Sequence, residues 1–198
     1  MRLKCKYRNY EDLNVDFYPN LLSQELAQGW YNYLEYLFAS ESNSKHRETL
    51  LVGDEGTIYT VSYRPKEGTT RNNPVQSWDS IPYLLDLKCI IEKVTEQKYT
   101  VCAIQRYPNG NIGIAPHRDK EMVTGTSIAG LSLGAVRTIS FSKGYYNYQS
   151  LDPINIPLYS GSLYVMNPPT NQKWVHSIIK DPNVNESRIS LTFRDYKN

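Results

Sequence analysis

Residues 104–121 read IQRYPNGNIGIAPHRDKE. This stretch begins as a β-favouring run, breaks at Pro108, Asn109 and Gly110, and resumes as a second extended run that leads into His117 and Asp119. Two extended segments divided by turn residues belong in a sheet. Side chains two apart on an extended chain leave the same face, so His117 and Asp119 can point at one ion. One imidazole and one carboxylate do not make a metal site, and the chain has three histidines in all. The third ligand is therefore His176 or His46. His46 sits among Ser44, Lys45 and Arg47, the setting of a solvated histidine. His176 shares its face with Trp174 and Ile178 and is expected to point inward. Two histidines and a carboxylate on one face of an octahedron leave three positions open, the arrangement of non-haem iron(II) oxygenases.

Downstream, short apolar runs alternate with glycine, proline and asparagine at about 99–107, 127–142, 154–166, 172–179 and 187–194. Strands at that spacing predict a sandwich or barrel. The last run, RISLTFR at 188–194, puts Arg188, Ser190, Thr192 and Arg194 on one face and Ile189, Leu191 and Phe193 on the other. If the apolar face meets a helix or second sheet, the arginines look into solvent or into the barrel. In the barrel, unpaired guanidiniums are prohibitively desolvated unless an anion joins them. A dicarboxylate suits two arginines, each of which holds a carboxylate through two parallel hydrogen bonds. Gln105 and Tyr107 share a face of the strand that leads to His117, and their polar ends can complete the same pocket.

Upstream, Leu22, Leu26, Trp30, Tyr33, Leu34, Leu37 and Phe38 recur at helical spacing after a capping Ser23, which predicts a helix over 23–39 that packs on a sheet. A second helical pattern runs from Ile81 to about Glu96, with Pro82 near its first turn. Between them, TIYTVSY at 57–63 reads as a strand and 64–80 as a loop or lid.

At 198 residues the chain has the length of a single domain, with 40% apolar and 21% charged residues. That composition excludes a disordered, collagen-like or disulfide-stapled chain. The net charge of +2 neither favours nor excludes a polyanionic partner, because nucleic-acid binding needs a local basic surface. Cys5, Cys89 and Cys102 show no paired spacing and read as small buried thiols. The polar start and the lack of a long apolar run indicate neither a signal peptide nor a membrane span, so an intracellular, nuclear or cytoplasmic protein is expected.

Together these segments resemble the AlkB family of iron(II)- and 2-oxoglutarate-dependent alkylation-repair dioxygenases, most closely its duplex-DNA branch. IQRYPNGNIGIAPHRDKE is similar to the family's strand, turn and HxD motif, and IAGLSLGAVRTISF (128–141) to the strand that follows. MNPPTNQKWVHS (166–177) and RISLTFR resemble the distal-histidine strand and the Arg-x5-Arg strand. RETLLVGDEGTIYTVSY (47–63) resembles the nucleotide-recognition segment.

The resemblance implies a mostly β fold with flanking helices, a double-stranded β-helix or jelly-roll core. Residues 1–198 are expected to form one dioxygenase domain, with N-terminal helices and a nucleotide-recognition lid in 1–98 and the catalytic core in 99–198. It implies that His117, Asp119 and His176 hold Fe(II), and that Arg188 and Arg194, with Tyr107, Gln105 and Ser190, hold 2-oxoglutarate. O2 and 2-oxoglutarate would yield succinate and CO2 while a methyl group leaves as formaldehyde. A methylated adenine or cytosine, flipped from DNA or RNA, would meet Glu121, the ring of His117, Tyr59, Val61 and Ser62. Gln105 and Ser190 stand where the family usually or often has asparagine, and Val61 replaces an aromatic, which implies weaker co-substrate contacts and altered base selectivity. The stretch ASESNSKH (39–46), where the duplex branch carries an apolar wedge, holds no aromatic or large aliphatic residue. Single-stranded or distorted substrate is therefore expected. The enzyme is expected to be a monomer. The alternatives are a dioxygenase of the same scaffold acting on a protein, lipid or small molecule, and a catalytically idle nucleic-acid-binding module.

Overall fold

A computed structural model describes residues 4–7, 10–39, 46–62, 70–143 and 152–196. Its centre is RISLTFR. As strand β14 (Arg188–Arg194), all seven of its residues are buried. Ile189, Leu191 and Phe193 face the helices, each fully buried and each stabilising by about 1.5–3 kcal/mol. Arg188, Ser190, Thr192 and Arg194 take the opposite, inward face, so the alternative of a solvated arginine edge does not hold.

β14 pairs on one side with β7 (Val101–Tyr107) and on the other with β9 (Ile128–Gly134). These three strands are the middle of an eight-stranded sheet. It continues past β9 to β12 (Ser162–Met166), β2 (Val15–Tyr18) and β1 (Cys5–Tyr7), and past β7 to β3 (Glu48–Gly53) and β6 (Gln76–Ser77). A four-stranded sheet in the order β11 (Ile154–Leu158), β10 (Arg137–Ser142), β13 (Val175–Ile178), β8 (Ile114–His117) faces it. Leu13, Phe17, Tyr107, Ile139, Phe141, Tyr164 and Trp174 fill the space between the sheets. The arrangement is a double-stranded β-helix.

Helix α1 (Gln24–Ala39) starts where the Ser23 side chain accepts from the Leu26 amide, and it packs Ala27, Leu34 and Phe38 onto the outer face of β9 and β14. Leu26 of the expected stripe stays in solvent, 57% exposed. Helix α2 (Leu84–Thr95) buries Leu84, Leu87 and Ile91 on the same face. A one-turn helix α3 (Thr170–Lys173) precedes β13. Among the described residues no helix is long and apolar enough to cross a membrane.

Several sequence expectations are corrected. The run 127–142 is two strands in different sheets, divided at Gly134 with φ +78°, and 154–166 is likewise divided at Gly161 with φ +82°. Glycine takes that left-handed conformation without strain, so the chain leaves one sheet for the other there. The segment 64–80 is not all loop: β5 (Thr70–Pro74) pairs with β4 (Ile58–Ser62), and β6 joins the large sheet. Residue 63 of the expected strand, 64–69 of the expected lid, and 40–45 of the expected wedge position lie outside the described residues. Cys102 is buried as expected, but Cys5 and Cys89 are exposed. β1 and β2 had no sequence signal strong enough to place them.

Candidate active site

His117 ends β8 and His176 lies in β13, and these strands pair antiparallel with the two histidines directly opposite each other. Strand register thus brings together residues far apart in the chain, with ring centroids 4.3 Å apart. Asp119 follows two residues after His117, and the ligand atoms of His117, Asp119 and His176 all lie within 4.8 Å of one another. His46 is exposed and outside this cluster.

The surroundings orient each group. Nδ1 of His117 lies 3.0 Å from the Ala115 carbonyl, and Nε2 lies 3.4 Å from Asp119 Oδ1. A proton on Nδ1, donated to that carbonyl, leaves the Nε2 lone pair facing the cluster. Burial holds His176 near pKa 3, so its imidazole is neutral and able to ligate. Burial alone would raise the Asp119 carboxyl. The Arg194 guanidinium and His117 outweigh it and hold Asp119 well below the usual carboxylate range.

Asp119 is also pinned through its backbone. The Asn171 side chain accepts from the Asp119 amide at 2.9 Å and donates to the Asp119 carbonyl at 2.7 Å. This two-point contact ties the loop carrying Asp119 to α3, five residues before His176. Arg137, only 2% exposed, donates to the carbonyls of Asn109, Gly110, Ile112 and Ile179, which staples the turn ahead of β8 to the end of β13. Neither residue was assigned a role from sequence. The available signal was an arginine opening an apolar strand and an amide beside the distal histidine, but both contacts are long-range.

The inward face of β14 supplies the neighbouring pocket. Arg194 Nε donates to Asp119 Oδ2 at 2.7 Å, and Nη1 donates to the Tyr59 hydroxyl at 3.1 Å. Arg188 is 1% exposed, donates from Nε to Ser132 at 2.8 Å, and lies over the Tyr107 ring with its Cζ 5.1 Å from the centroid. Tyr107 and Gln105 stand beside β14 opposite Arg188 and Ser190, and the Tyr107 hydroxyl donates to Gln105 at 3.3 Å. Ser190 is within 3.3 Å of the Thr192 hydroxyl. The two arginines thus differ: Arg194 already has an anionic partner, whereas Arg188 forms no ion pair among the described residues.

The expected base contacts are less gathered. Tyr59, on β4, is buried against Tyr196 at 4.9 Å, and its hydroxyl is engaged by Arg194. Val61 and Ser62 follow on the same strand. Glu121 accepts from the Lys120 amide, close enough to Tyr59 and Arg194 to influence both electrostatically.

The donor set of two imidazoles and a carboxylate fits a ferrous ion, and two of the orphaned buried side-chain atoms among the described residues belong to this site. Nδ1 of His176 and Nη1 of Arg188 are both buried without a hydrogen-bond partner. Such groups cost about 1–3 kcal/mol, more when charged, unless something else satisfies them.

Comparison with known proteins agrees with this geometry. Residues 14–194 match the 2OG-Fe(II) oxygenase superfamily. The chain is 35% identical over 158 residues to the human DNA oxidative demethylase ALKBH2, covering 77% of this chain and 57% of that one. It is 34% identical over 122 residues to the bovine alpha-ketoglutarate-dependent dioxygenase alkB homolog 3, covering 57% and 42%. The solved structure of OsALKBH1 superposes with a TM-score of 0.67 at 12% identity, over 98% of this chain and all of that one. At that identity the likeness concerns the fold. The chain spans little more than half the length of the ALKBH2 proteins it matches.

Proposed function

The chain belongs to the 2OG-Fe(II) oxygenase superfamily, among its AlkB-like members, and from that premise we propose that it oxidatively removes methyl groups from alkylated bases in nucleic acid. Fe(II) and 2-oxoglutarate are the cofactor and co-substrate of this family. The carrying observation is one cluster of two imidazoles and a carboxylate beside a buried guanidinium that has no anion of its own.

In this reading His117, Asp119 and His176 hold Fe(II), which when bound supplies the oxidation of the methyl carbon by O2, coupled to decarboxylation of 2-oxoglutarate. Arg188, braced by Ser132 and Tyr107, takes a co-substrate carboxylate on its open Nη1. Arg194 holds Asp119 ionised and turned toward the cluster. Asn171 and Arg137 fix the two ligand-bearing segments against each other, so the site does not have to be organised when ligands arrive. The half-exposed ring of His117 offers a surface on which an unstacked base can lie, with Glu121 near enough to attract a cationic methylated base.

Methylated DNA or RNA is the proposed substrate, with single-stranded or distorted nucleic acid favoured because residues 39–46 contain no aromatic or large aliphatic wedge. The test is succinate release in the presence of oligonucleotides containing 1-methyladenine or 3-methylcytosine. Release stimulated by these and not by unmodified controls, with formaldehyde in equal amount, is the expected outcome. Stimulation by neither, in a protein that still turns over 2-oxoglutarate, would point to a protein, lipid or small-molecule substrate. Equal rates on matched single and double strands would remove the strand preference.

A further inference from the structure

Tyr164 contributes to none of the motifs above, yet it stands in the middle of the buried polar face. Its neighbours Leu163 and Val165 on β12 turn toward the helices, whereas Tyr164 and Met166 turn inward between the sheets. Its cross-strand partner on β9 is Gly130, and the partner of Gly130 on β14 is Thr192, which lies between the two arginines. The glycine leaves space that the ring occupies. A Cβ built at position 130 would overlap the Tyr164 ring and lie 2.6 Å from its hydroxyl oxygen. The ring therefore reaches across β9, and its hydroxyl lies over Gly130, whose neighbour on β14 is Thr192 and which is two residues from the Ser132 that holds Arg188.

The charges around that oxygen describe its setting. Burial pushes the Tyr164 phenol up to about 12, and Arg188, Asp119, Arg194 and Tyr107 all act on it electrostatically. It is thus a neutral O–H donor at physiological pH. Its hydroxyl forms no hydrogen bond among the described residues. A donor in the field of two guanidiniums cannot use them as acceptors, because guanidinium offers only N–H groups. What it lacks is an anionic oxygen.

Resting on the co-substrate role assigned to Arg188, we propose that Tyr164 is a further 2-oxoglutarate-contacting residue, its hydroxyl donating to the co-substrate carboxylate that Arg188 holds. Gly130 is the residue that makes this contact possible. The pair forms a large-over-small match across β12 and β9, and the phenol trims the pocket while adding a donor.

The experiment is calorimetric titration of 2-oxoglutarate into oxygen-free, Mn(II)-loaded protein, with Mn(II) affinity measured separately. Tyr164→Phe keeps the ring and removes only the hydroxyl. It should raise the 2-oxoglutarate Kd about tenfold, the worth of one hydrogen bond to a charged acceptor, and leave Mn(II) affinity unchanged. Gly130→Ala, which must displace the ring, should also weaken 2-oxoglutarate binding. Wild-type affinity in Tyr164→Phe overturns the proposal, and so does a loss matched by an equal loss of Mn(II) binding, which would mark a structural role. No binding to the unsubstituted protein overturns both this proposal and the co-substrate reading beneath it, whereas equal binding to both proteins overturns this proposal alone.

Discussion

Asp119 and the two arginines of β14 show how much one side chain can be asked to do. Asp119 is the sole anion of the ligand cluster and the partner of Arg194, so Asp119→Ala should abolish succinate formation and remove Mn(II) binding in titration. The arginines should separate in their effects. Arg188 has no carboxylate of its own, so Arg188→Ala should raise the 2-oxoglutarate KM about ten- to hundredfold with little change in the Fe(II) requirement. Arg194 donates directly to Asp119, so Arg194→Ala should raise both. Steady-state kinetics with each ligand varied in turn makes the comparison. Equal Fe(II) requirements in the two variants would contradict the asymmetry.

At the scale of elements, the short helix α3 joins the two halves of the metal cluster. Its Asn171 grips the Asp119 backbone just ahead of the strand that carries His176. Asn171→Ala should weaken Mn(II) binding about ten- to hundredfold while leaving the far-ultraviolet circular dichroism unchanged. Helix α2 is anchored differently. The Glu92 carboxylate accepts from the Tyr99 amide at 3.0 Å and pairs with Lys88 at 3.1 Å and Lys98 at 2.6 Å, which ties the helix end to the approach to β7. Burial raises the Glu92 carboxyl, but these donors outweigh it and leave it below its ordinary value of 4.5. As pH falls below that value the unfolded chain takes up the proton first, so the stability present at neutral pH is lost. Glu92→Gln should cost about 1–3 kcal/mol at pH 7, mostly through the amide and Lys88, because Lys98 is exposed. Urea denaturation at several pH values should show the difference from wild type shrinking below about pH 4.5. A constant difference would assign the effect to packing.

Across the whole molecule, ligand binding and folding are linked, because the cluster exists only when β8, β13 and β14 are assembled. Mn(II) with 2-oxoglutarate at about a hundred times its Kd should stabilise the protein by about 2.7 kcal/mol, and a chelator should reverse the gain in a thermal melt. Residue order made part of this assembly legible. Alternation in 188–194 separated a polar face from an apolar one, the HxD spacing put two donors on one side, and the helical repeats marked α1 and α2. These are local periodicities, and they determine which side chains share a face wherever the segment finally lies. The residues that meet were settled by strand pairing. His117 opposite His176, Tyr164 across Gly130, Asn171 on Asp119, and β3 and β6 joining the large sheet are contacts closed by turns and loops between distant segments. A left-handed glycine at 134 or 161 redirects the chain from one sheet to the other, so the register that brings donors together is a property of packing and not of any single run of residues.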